Sequence, residues 1–284
     1  MALQWPLILF TSFVCAGAGL IAVEGLFAVL GKGQKAQFLS AITALALVVV
    51  GGICVFFHLE HAERIFNGFG HITSGITQEL IAVVLLIVVA VILIVQARKN
   101  EKIALWAGIV AIIVGLATIL VCGLSYMMPS RPAWNSGMQI CSLFGFGLAA
   151  GAGLFAFFDG DEADNAAKGI TNIVASILAF VTTGGFLIAM KSAVAKFTDV
   201  GYYFDPNHPT FPMESAEAFN PFANGGLAWG ALILAAIAVA LAFWGKGFKN
   251  WKIAGCGIAV CAIVGAILLR GVFFAAGGSV YMFF

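Results

Sequence analysis

Apolar positions in this chain neither alternate nor gather into a stripe at every third or fourth place; they run on without interruption. Eight stretches, 6–30, 38–57, 78–97, 103–124, 138–158, 169–190, 226–244 and 253–275, are long and apolar enough to cross a bilayer, which takes roughly 20 helical residues each. Membrane strands are excluded, since a barrel strand of about 10 residues alternates lipid-facing and lumen-facing side chains. The pattern predicts an all-α integral membrane protein, one bundle of eight transmembrane helices over residues 1–284. No Lys or Arg precedes the first run, and it is longer than the signal-peptide core of about 7–15 residues. It therefore reads as a retained span, with Trp5 at the membrane interface.

Composition sharpens the class. The chain is 62% hydrophobic and 10% charged, with a mean hydropathy of +1.06, whereas soluble domains carry about 25% charged residues. A formal net charge of +1 leaves no basic stripe of the kind that binds nucleic acid. Of the fourteen Lys and Arg residues, nine fall in the first, third, fifth and seventh connections between spans. By the positive-inside rule those connections lie inside and both termini outside. All seven prolines then fall on the outer side, which is where the elaborate loops are expected.

One polar block breaks the apolar pattern. Between His58 and Glu79 lie three of the four histidines, flanked by the uncharged runs 38–57 and 80–95. Ionisable groups at such a depth are retained mainly for function. His58 and Glu79 close the two ends of a short re-entry, so the helix ends are expected to bring imidazole and carboxylate together. Both groups can exchange protons near neutrality when partly buried. A quinol loses two hydroxyl protons with its two electrons, and a His with a Glu suits that task. The plainer reading, a loop of helix caps and salt bridges facing water, fits Glu60, His61 and Glu63 best.

Other cofactors find little support. Haem needs axial ligands within spans, and no histidine sits mid-span; only His58 could serve, with a weakly placed partner. All six cysteines fall within spans and none has C-x-x-C spacing, so they read as small packing residues. The chain is expected to hold no haem, no iron–sulfur cluster and no metal.

Several further residues are candidates. Arg270, at the end of the last span, is either a structural clamp to a carboxylate or a holder of the quinone carbonyl. Arg131 enters from the same face, and Trp134 is an interface anchor or a stacking group beside the quinone ring. Glu24 lies inside the first span, either as a step of a proton path or as a neutral carboxyl hydrogen-bonded to a neighbouring helix. Gly147 and Gly151 form a small-xxx-small stretch for close helix approach. The loop 192–225 is long, aromatic and rich in proline, which favours a lid or a docking surface over an idle connection.

Four patches in order carry a resemblance: 4–11 (Gln-Trp-Pro-Leu-Ile-Leu-Phe-Thr); His58-Leu59 with Arg64, Phe66, Asn67 and Glu79; 129–135 (Pro-Ser-Arg-Pro-Ala-Trp-Asn); and 270–274 (Arg-Gly-Val-Phe-Phe). In these, over nearly its whole length, the chain resembles the DmsC-type membrane anchor subunit of the dimethyl sulfoxide reductase (molybdopterin oxidoreductase) family. It departs from the family after His58-Leu59, where Glu60-His61-Ala62 stands in place of the usual Gly and Pro. The resemblance implies that His58 and Glu79 contact a quinol, with menaquinol the expected one. Arg64, Asn67, Arg131, Trp134 and Arg270 are then supporting residues.

It also implies partners. A ferredoxin-like four-cluster iron–sulfur subunit would dock on the outer face and pass electrons to a molybdopterin catalytic subunit. The location would be the cytoplasmic membrane of a prokaryote, and chemistry on the terminal substrate would belong to the partner. Two rivals come from other classes. A purely structural tether would not touch quinone, and a secondary transporter would show internal repeats and Gly- or Pro-broken spans around a mid-membrane site. No proline falls within a span beyond Pro6 at the start of the first, and no repeat is evident in the sequence.

Overall fold

A computed structural model describes residues 3–58, 61, 67, 69–100, 102–161, 164–193, 202–203, 211–212, 219–223 and 225–277. They contain eight helices long and apolar enough to span a membrane: α1 Trp5–Val29, α2 Gln34–Phe56, α3 Gly75–Asn100, α4 Leu105–Leu124, α5 Gly137–Asp159, α6 Asn165–Ser192, α7 Leu227–Phe248 and α8 Trp251–Ala275. The protein is an all-helical, multi-pass membrane protein. The only strands among the described residues are a two-residue antiparallel pairing, Tyr202 with Pro212 and Tyr203 with Phe211, inside the long loop.

Local sequence sets the helix ends. Pro6 sits in the first turn of α1, where its missing N–H costs nothing. The Ser136 hydroxyl accepts from the backbone N–H of Met138 to start α5, and the Asn250 side-chain amide oxygen accepts from Ile253 N–H to start α8. Turns at one face are tight: Gly31 and Gly33 adopt φ of 67° and 65° between α1 and α2, a conformation that glycine reaches without strain. The face on which α1 begins is called the first face below, and the one with these tight turns the second.

The helices form two halves with the same internal packing. Helix α1 packs on α2 and α4 as α5 packs on α6 and α8, while α3 joins α2 to α4 as α7 joins α6 to α8. The halves meet through α1 and α5. A Cβ on Gly19 would collide with the Gly147 carbonyl, and one on Gly151 with the backbone at Gly19. Only small residues allow that crossing, as expected for Gly147 and Gly151. The repeat resides in which helices pack together.

The second face is pinned by polar contacts. Lys168, fully buried one turn into α6, pairs its Nζ with Asp159 at 2.8 Å and donates to the Gly160 carbonyl at 2.5 Å. The Asp161 carboxylate accepts from the backbone N–H of Trp251 and Lys252 at 2.6 and 3.0 Å. Lys168 is thus an internal partner rather than a loop cation, which removes one charge from the loop bias at this face.

Candidate functional site

At the first face the beginning of α3 abuts the end of α4. A Cβ added to Gly75 would lie 3.0 Å from the Ser125 Cβ, so the two backbones are held close. One turn further along α3 the side chain of Glu79 is buried. The hydroxyl of Ser125, just beyond α4, donates to Glu79 Oε1 at 2.5 Å. Ser125 is a residue that sequence reasoning missed. A serine after a span looks like any loop polar group, and only the packing of α3 on α4 singles it out.

Glu79 ends a cavity of about 330 Å³ between α1, α2 and α3. Its other lining residues are apolar, among them Phe10, Val48, Ile53, Phe56, Val83 and Ile87. Several, such as Ile53 and Val84, are also exposed on the outside of the bundle, so the cavity opens sideways to the surrounding hydrocarbon. Gly52 lines it too, and a Cβ placed there would meet nothing within 4 Å. Apolar walls with one polar group at the end are the usual make-up of a small-molecule site.

Behind Glu79 lies Arg270, near the end of α8 and 3% exposed. Its Nε donates to the Thr11 hydroxyl at 3.0 Å, and that hydroxyl donates in turn to the Leu7 carbonyl at 2.9 Å. The guanidinium carbon lies 4.7 Å from the Tyr126 ring centroid and 4.2 Å from that of Phe273, within cation–π range. Both Nη atoms lack a hydrogen-bond partner among the described residues. Among the described residues no carboxylate is ion-paired with Arg270; an aromatic cage and a hydroxyl hold it. Burial pushes the Tyr126 phenol well above the usual tyrosine range, so that wall of the cage stays uncharged.

Trp134 belongs to the same assembly. Its indole stacks on Phe273 with centroids 4.5 Å apart and its Nε1 donates to the Phe273 carbonyl at 2.6 Å. The ring is buried and does not line the cavity; it locks the 125–136 loop to the end of α8. Arg131 lies over the indole at 4.3 Å. Ser125, Tyr126 and Trp134 therefore form one strap that links the Glu79 carboxylate to the Arg270 cage.

His58 stands apart from this group. It follows α2, where its backbone N–H donates to the Val55 carbonyl at 2.9 Å, and its side chain is exposed. No hydrogen bond joins it to Glu79 among the described residues, and it does not line the cavity. Asn67 is exposed on the same connection, while Arg64 lies outside the described residues.

Glu24, five residues before the end of α1, is fully buried, and both its carboxylate oxygens lack hydrogen-bond partners among the described residues. The bond to a neighbouring helix weighed from the sequence is therefore not made. Glu24 stands seven residues after Gly17, which faces Ala44 and Val48 of α2, so helical register turns it toward α2. Among the described residues no group of three or more His, Cys, Asp or Glu could hold a metal ion. No protein-family model matches this chain, and no curated protein matches it.

Proposed function

We propose that the chain is the membrane anchor and quinol-binding subunit of a multi-subunit molybdopterin oxidoreductase in the cytoplasmic membrane of a prokaryote. The first face is then the outer one. The observation that supports this most is the cavity between α1, α2 and α3, apolar throughout except for the buried carboxylate of Glu79. A quinol such as menaquinol matches it, a polar ring on a hydrocarbon tail that reaches its site through the bilayer. Ser125 engages Oε1 of Glu79, and Oε2 would accept a hydroxyl proton from the ring.

Each quinol yields two protons and two electrons. Glu79 takes one proton directly, and the other passes through water to His58, which is exposed at the end of α2 outside the cavity. The electrons leave to a ferredoxin-like iron–sulfur subunit docked over the same face, and from it to the molybdopterin subunit that acts on the terminal substrate. Arg64 and Asn67 belong to the connection beneath that partner. Arg131, Trp134 and Arg270 hold the strap that carries Ser125. Glu24 is a candidate proton-path step; unchanged quinol oxidation and proton release in Glu24→Gln would remove it from that role.

The test is quinol oxidation, together with binding of a quinol analogue, by the assembled complex. Glu79→Gln should lower turnover by about 100-fold or more, the usual contribution of a positioned proton acceptor. Gly52→Phe should block analogue binding, because the new ring fills the cavity. Wild-type binding and turnover in both variants would overturn the reading.

A further inference from the structure

A second recess lies on the opposite side of α1 from the quinol cavity. It measures about 350 Å³, with Ala22, Val23 and Leu26 of α1 and Leu148 of α5 in its floor, and Ile112 of α4 and Val174 of α6 at its rims. It follows the seam where the two halves meet. Thr171 supplies the one hydroxyl among the lining residues. At the second face the seam is closed by Lys32, just beyond α1, whose Nζ lies 3.6 Å from the carboxylate of Asp164 at the start of α6. Both side chains are partly exposed, at 42% and 24%.

Those walls decide what can fill it. Water needs 2–4 polar partners to occupy a cavity, and a single helix hydroxyl does not supply them. An empty recess of this size would forfeit the dispersion contacts of every lining atom. The recess lies at span depth and its rim residues Ile170 and Val174 are each 60% exposed, so hydrocarbon from the bilayer reaches it directly. Its end holds no carboxylate or amide to fix a polar ring, which sets it apart from the Glu79 cavity.

We propose that this seam binds one phospholipid of the second-face leaflet, with an acyl chain laid between α4 and α6 and the phosphate beside Lys32. The pair with Asp164 is exposed and loosely spaced, and such pairs contribute little, so a phosphate can share the ammonium. The first turn of α6 also has no side-chain cap, which leaves backbone N–H groups at the same edge. The lipid would act as a filler that joins the halves along a seam the protein leaves open.

Native mass spectrometry of the chain, extracted with its membrane and stripped by detergent exchange, reads the result as phospholipids retained per protein. Wild type should keep one. Ala175→Phe, which fills the recess, should lose it, while Val260→Phe, a lipid-facing change elsewhere, should not. Lys32→Gln alters only an exposed group and should lower retention about fivefold, the effect of one lysine at a lipid headgroup; this decides the matter should Ala175→Phe not fold. No retained lipid in wild type, undiminished retention in Lys32→Gln or in folded Ala175→Phe, or a quinone in the lipid's place would overturn the proposal.

Discussion

Two buried carboxylates near opposite faces of the bundle have opposite surroundings. Asp159 lies 2.8 Å from the Lys168 ammonium, which also donates to a backbone carbonyl, and that corner is closed by the start of α8. Among the described residues Glu79 accepts from the Ser125 hydroxyl, and it lines an apolar cavity of about 330 Å³. A charge neutralised inside a closed corner serves the fold. A carboxylate beside a ligand-sized space can exchange a proton. The comparison separates structural from chemical use by what surrounds each group, since burial is the same in both.

Breaking each side tests the contrast. The largest effect is expected at the open site, where Glu79→Gln should cost about 10²–10⁴ in quinol turnover yet leave thermal unfolding nearly unchanged. At the closed corner Lys168→Met should do the reverse. It strands the Asp159 charge and should destabilise the bundle by about 3–5 kcal/mol, read from thermal unfolding in detergent, and the double change with Asp159→Leu should restore most of that.

Smaller effects sharpen the picture. Trp134→Phe keeps the stacking on Phe273 but loses the hydrogen bond to its carbonyl, which should cost roughly 0.5–1.5 kcal/mol of stability. Ser125→Ala should reduce turnover by about tenfold, the equivalent of one ordinary hydrogen bond, with analogue binding retained. Ser125→Thr should recover the rate by restoring the donor.

Much of the fold was legible because a helix in lipid needs only length and apolarity, and the eight runs supply both. Glu79 could be singled out from its place at the edge of an uncharged run. What the sequence left open depends on packing between distant segments. Trp134 and Phe273 are 139 positions apart, and nothing local marks them as partners. Lys168 resembles a loop cation because it stands one turn inside α6, and only the facing Asp159 shows that it is internal. His58 follows a helix end, where sequence does not say whether a side chain turns in or out; the structure turns it out and gives Glu79 to Ser125. The two-half arrangement lies in packing, which does not require repeated residues.

The central claim is that Glu79 and the cavity beside it form the quinol site. An experimental map of the assembled complex with a quinol analogue bound tests it most directly. The expected result places the analogue's ring hydroxyl within about 3 Å of a Glu79 carboxylate oxygen, with its tail running out between α2 and α3. An analogue seated anywhere else, whether beside His58 outside the cavity or in the seam between α4 and α6, would contradict it.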